Sequence, residues 1–118
     1  MQKIDFFDAI YDSKPDFVKE NFDKLKNEDK ASVFYFACSH NSLDLVMWMM
    51  DNPDFSFDER FYGCTKEEYG FQGACHEGCK DVRQYLIKEK KLTLSDSMLN
   101  WMYENKLGRL IPKKRKMK

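Results

Sequence analysis

Apolar residues fall in short clusters that recur every three or four positions between polar turns, and this spacing predicts amphipathic helices rather than strands. Two stretches share one plan. FYFACSHNSLDLVMWMMDNPDFSF, residues 34–57, aligns with FQGACHEGCKDVRQYLIKEKKLTL, residues 71–94. Phe34 falls on Phe71, Ala37 on Ala74, Cys38 on Cys75, Asp44 on Asp81, Leu45 on Val82, Trp48 on Tyr85, Met49 on Leu86 and Met50 on Ile87, an offset of 37 residues. Each reads as a short helix with small residues in its middle, a polar turn, a longer helix with a bulky apolar stripe, and an extended stretch. The stripes are Leu43, Val46 and Met50 in one copy and Val82, Leu86 and Ile87 in the other. Asn41 and Gly78 occupy the turns, and both residue types tolerate a left-handed conformation.

A third copy lies upstream in FFDAIYDSKPDFVKENFDKL, residues 6–25, where Ala9 answers Ala37 and Phe17 and Val18 answer Leu45 and Val46. Pro15 then sits in the first turn of the second helix, where its missing N–H costs little. A shortened fourth unit, SDSMLNWMYENKLGRLI, residues 95–111, offers Ser95 as a helix cap and Leu99, Met102 and Tyr103 at helical spacing. A helix pair this small cannot bury its apolar face alone, so the units are expected to stack around one continuous core. The expected fold is a single all-α solenoid over residues 1–111, with units at about 4–28, 29–65, 66–94 and 95–111: three full units and a truncated C-terminal capping unit. A basic tail, residues 112–118, follows.

A chain of 118 residues holds one modest domain that buries roughly two-thirds of its unfolded surface. Charged residues at 34% are interspersed with apolar ones and aromatics reach 15%, which argues against disorder. The zero net charge conceals an asymmetry. Lys113, Lys114, Arg115, Lys116 and Lys118 lie in the tail, so residues 1–112 carry all 20 acids against 15 bases. An acidic body is a poor surface for a nucleic-acid duplex, and any such role would have to reside in the tail. Lys113, Lys114, Arg115 and Lys116 resemble a nuclear import signal, which implies an import receptor as a partner; the plainer reading is a solvated end. No apolar run approaches the roughly 20 residues that cross a bilayer, and MQKIDFFDAIYD carries acids where a secretion signal is uncharged. The expectation is an intracellular protein, cytoplasmic or nuclear, with no membrane partner and with free, buried thiols.

Cys75, His76 and Cys79 within five residues raise the question of zinc. Structural zinc needs four ligands converging at roughly 2.0–2.3 Å. On a helix, Cys75 and His76 point about 100° apart, and Cys75 matches Cys38 one unit earlier. Both thiols therefore read as core, with no metal and no cofactor. Gly70 and Gly73 lack the spacing of a phosphate loop and read as sites of close helix packing. Two histidines and four cysteines offer few nucleophile–base pairs, so an enzyme is not expected. A different class of function stays open: a metal- or nucleic-acid-associated helical module using the Cys/His set and the basic tail.

ACHEGCKDVRQYLI, residues 74–87, resembles the second half of an ankyrin repeat, A-A-x-x-G-H-L-E-V-V-K-L-L-L, and ACSHNSLDLVMWMM, residues 37–50, matches at most of the same positions. The usual T-P-L-H-x-A opening is replaced by SVFYFA (32–37) and YGFQGA (69–74), and the segment 51–69 is longer than a period of roughly 33 residues would allow. The resemblance implies a non-enzymatic adaptor or effector that binds another protein through a concave face of first helices and loop tips. The contact positions it implies are Tyr11 and Asp12, Ser39 and His40, and His76 and Glu77. The interrepeat loop adds Asp58, Glu59, Arg60, Phe61 and Tyr62, with Arg60 and Tyr62 as anchors by residue type; the plainer reading of Phe61 and Tyr62 is that both fold back over the core under a long loop.

Overall fold

Several of the helices begin where a side-chain oxygen takes up a free N–H group of the first turn. The computed structural model describes residues 2–111, apart from the side chain of Glu77, and regular structure among them is entirely helical. α1 (Lys3–Tyr11) opens with the Asp5 carboxylate accepting from the Gln2 N–H at 3.0 Å. α2 (Pro15–Asn21) has Pro15 at its start, as its missing N–H favours. α3 (Asn27–Ser39) and α4 (Leu43–Met50) make the second hairpin. α5 (Glu59–Tyr62) is a single turn capped by Asp58. α6 (Lys66–Gly73) starts on a reciprocal Thr65–Glu68 capping box and is followed by α7 (Lys80–Lys88). α8 (Asp96–Glu104) starts on Ser95, whose hydroxyl accepts from the Met98 N–H at 3.2 Å.

The hairpins stand in a row. α3 packs between α1 and α6, and α4 packs between α2 and α7, giving a body of 51 × 29 × 25 Å. One phenylalanine per first helix, Phe6, Phe34 and Phe71, is fully buried, with Ala9, Ala37 and Ala74 three residues on. That spacing puts a large and a small residue on one helical face, so neighbouring helices can interlock. Val18, Val46, Met49, Val82 and Leu86 complete the core from the second helices. The expected division into a narrow first helix and a greasy second one is therefore corrected, and in the second hairpin the lengths reverse, 13 residues in α3 against 8 in α4. Leu43, Met50 and Ile87, expected inside, are half-buried.

Three first helices end in one turn. The N–H groups of Lys14, Ser42 and Leu107 donate to the carbonyls of Ala9, Ala37 and Met102 at 2.7, 3.0 and 2.7 Å. The residue before each donor is left-handed: Ser13 (φ 58°), Asn41 (54°) and Lys106 (61°). This is the Schellman closure, and it aligns α8 with α1 and α3. The third hairpin departs. α6 stops at Gly73, a 3-10 turn runs over Glu77–Cys79, and Gly78 lies outside the left-handed region, contrary to the sequence expectation. Beyond the helix end, the Arg83 guanidinium donates to the carbonyls of Ala74, at 3.0 Å, and His76, and so holds the turn in its non-helical path.

Residues 51–65 are fastened to the core. Phe55 is buried edge-on against Phe22 and Phe34, at 5.7 and 5.4 Å between ring centroids. The Lys30 ammonium donates to the Asp54 carbonyl at 3.0 Å. Lys66 donates to the carbonyls of Met49 and Met50, ends of α4, and lies 4.3 Å over the Phe55 ring. Burial pulls its pKa below the usual lysine value.

Candidate functional site

The outer edge of α3 joins two groups of rings, most of them half-buried, because Tyr35 and Phe36 are consecutive on it. Phe36 faces α1: it stacks on Phe7 at 4.5 Å and meets His40, one turn on, at 4.3 Å, while His40 meets Tyr11 at 5.8 Å. The structure thus brings together Tyr11 and His40, assigned from sequence to different units. Tyr11 is 76% exposed. Asp12 follows α1 as an exposed cap whose N–H donates to the Asp8 carbonyl. Ser39 is less available, since its hydroxyl donates to the Tyr35 carbonyl at 2.8 Å and its own carbonyl accepts from the Cys79 thiol at 3.2 Å.

Tyr35 faces the other way and meets Tyr69 of α6 at 5.0 Å. Tyr69 in turn meets Tyr62 at 4.9 Å and Phe57 at 5.2 Å, and Phe57 stacks on Tyr62 at 4.7 Å with the planes 18° apart. Phe61 stands edge-on to Tyr62 at 5.0 Å and is 74% exposed. The Asp58 carboxylate accepts from the N–H groups of Arg60 and Phe61, and Gly63 closes the turn at φ 73°. α5 therefore holds Phe61 outward and Tyr62 inward, which splits two neighbours that the sequence treats alike. Arg60 is exposed and forms no ion pair among the described residues.

Between α3 and α5 lies a cleft of about 230 Å³ lined by Asn27, Glu28, Ala31, Ser56, Phe57, Asp58, Phe61 and Tyr62. Burial raises the Tyr62 phenol pKa, and the negative charges of Glu28, Asp58 and Asp29 raise it further. The Tyr69 phenol is pushed up to about 12, by burial first and then by Tyr62 and Tyr35. Both phenols are neutral donors at ordinary pH.

His76 is exposed in extended backbone three residues beyond α6, so it is not the structural counterpart of His40, which caps α3. The side chain of Glu77 and the tail residues Lys113, Lys114, Arg115 and Lys116 lie outside the described residues. Cys38, Cys75 and Cys79 are buried, and burial raises all three thiols, Cys75 to about 11. Among the described residues no three His, Cys, Asp or Glu side chains converge as a metal would require. No described helix is long and apolar enough to cross a membrane.

Phe7, Glu28, Tyr35, Phe36, Phe57 and Tyr69 belong to this surface and were not assigned to it from sequence. A signal existed: Tyr35 and Phe36 directly follow the buried Phe34, so on a helix they must turn away from the face that Phe34 occupies. No protein-family model, curated protein or solved structure matches the chain.

Proposed function

We propose that the chain is a divergent ankyrin-like stack, three full hairpins and a truncated capping unit, that works as a non-enzymatic adaptor or effector binding another protein. The binding surface in this reading is the outer edge of the first helices together with residues 57–62. Support for the stack comes from the shared closure of α1, α3 and α8 and from the alternation of first and second helices between two layers. The observation that carries the function is that the half-buried rings Phe36, Tyr35, Tyr69 and Tyr62 link the exposed rings Tyr11, His40 and Phe61 along one side of the molecule. Aromatic groups with one face packed and one edge free give large contact area at low cost in side-chain entropy, and they dominate interface hot spots.

A photo-crosslinking amino acid tests this reading when placed in turn at Tyr11, Arg60 and Phe61, and at Met47 on α4, which is 43% exposed on the other layer. The expected result is one common protein crosslinked from the first three positions and absent from position 47. Crosslinks from position 47 alone, or none above background at the first three, overturn it.

A further inference from the structure

The cleft beside α5 has a chemistry more specific than the rest of the surface, and its size sets a first limit. At about 230 Å³ it is smaller than the roughly 300–1,000 Å³ of sites that enclose a small-molecule ligand. It has room for one long side chain. Its floor is Ala31, one wall is the stacked Phe57–Tyr62 pair, and the exposed Phe61 ring stands at the mouth. Its rim is acidic. Glu28 and Asp58 line it and Asp29 contributes to the same negative field at Tyr62.

Among the described residues only Asp29 of these three meets a cation. Asp58 is engaged only with backbone N–H groups of its own turn. Asp29 has a single long contact, 3.9 Å to Lys3, and Glu28 forms no ion pair among the described residues. Lys30 and Lys66 point elsewhere: Lys30 is buried on the Asp54 carbonyl and Lys66 on the end of α4. A cation above an aromatic wall with carboxylates at the rim is favoured twice, by the ring quadrupole and by charge. The apolar stem of a lysine or arginine would cover Ala31 and Phe57 while its head reaches the rim. We propose that this cleft receives a lysine or arginine side chain presented by a basic segment of the partner protein. This rests on the reading of the outer face as a protein-binding surface and adds the chemistry of the guest.

The test is an NMR titration of the full chain, labelled with nitrogen-15, with two otherwise identical short peptides. One carries a central Lys-Arg-Lys in a Gly/Ser frame and the other carries Glu at those three places. The proposal expects saturable shifts of the amides of residues 28, 31, 57, 58, 61 and 62 with the basic peptide only, weakening as salt is raised. Glu28→Gln combined with Asp58→Asn should reduce affinity about tenfold, and Phe61→Ala should reduce it several-fold. Glu28 and Phe61 are exposed and Asn remains a competent helix cap, so both variants keep the fold. An equal response to the acidic peptide, shifts centred elsewhere, no response, or unchanged affinity in both variants overturns the cationic guest. None of these results touches the crosslinking test of the face, which is independent of partner charge, so the two readings fail separately.

Discussion

Gly73 has no room for a methyl group: a Cβ there would lie 2.8 Å from the Tyr35 carbonyl oxygen and 3.2 Å from Cys38 Cβ. Backbone cannot swing aside as a side-chain end can, so Gly73→Ala should cost about 1–3 kcal/mol in denaturant unfolding. Gly70→Ala should cost less, because its closest contact, 2.9 Å, is the tip of the Phe34 ring. Gly78→Ala meets nothing within 4 Å and should fall within about 0.5 kcal/mol of the parent. Close packing at Gly70 and Gly73 was legible in the sequence, because two glycines one turn apart in a helix make poor helix formers without such a reason. Glu68 was not legible. Burial alone would raise its pKa, but hydrogen bonds from Thr65 and Ser95 outweigh burial and hold the carboxyl below the usual glutamate range. A depressed folded-state pKa contributes stability that is present above the unfolded value, about 4.3, and is lost as pH falls through the folded one. The melting temperature of the parent should therefore drop below about pH 4.3 more steeply than that of Glu68→Gln.

At the scale of elements, the turn after α3 couples one hairpin to the next. Asn41, left-handed at φ 54°, accepts from the Val82 N–H at 3.1 Å and donates to Asp81 at 3.3 Å, so it closes its own helix and caps α7. Asn41→Gly keeps the backbone and loses the cap, at a cost on the order of 1 kcal/mol. Asn41→Ala should cost roughly 1 kcal/mol more, because alanine resists the left-handed region. Equilibrium unfolding should rank the three as parent, glycine, alanine. A result with alanine as stable as glycine would remove the conformational part of the argument. The helix pattern, Pro15, Ser95 and Asn41 could all be read from residue type, since each choice is local. The third turn could not, because its path is held by Arg83, nine residues after Ala74. Lys91 and Lys106 take left-handed conformations that lysine does not advertise.

Across the whole molecule, the order of apolar clusters was enough to read an all-helical chain of paired helices, because burial of each pair requires a neighbour. The candidate site was half legible. Tyr11, His40, Arg60 and Phe61 reach the surface as read, while Tyr62 turns inward onto Phe57 and Tyr69. What escaped was the pairing of rings from different hairpins, which depends on how α1, α3 and α6 lie side by side. Surface of this kind is separable from stability. Tyr11 and Phe61 are the most exposed large apolar residues described, so their loss should leave the fold intact.

The most direct measurement is therefore the affinity of the crosslinked partner, once isolated, for Tyr11→Ala with Phe61→Ala against Met47→Ala, with melting curves taken in parallel. A loss of at least tenfold is expected for the double variant, with parent affinity for Met47→Ala and an unchanged melting temperature in both. Parent affinity in the double variant, or a loss that tracks unfolding, would contradict it.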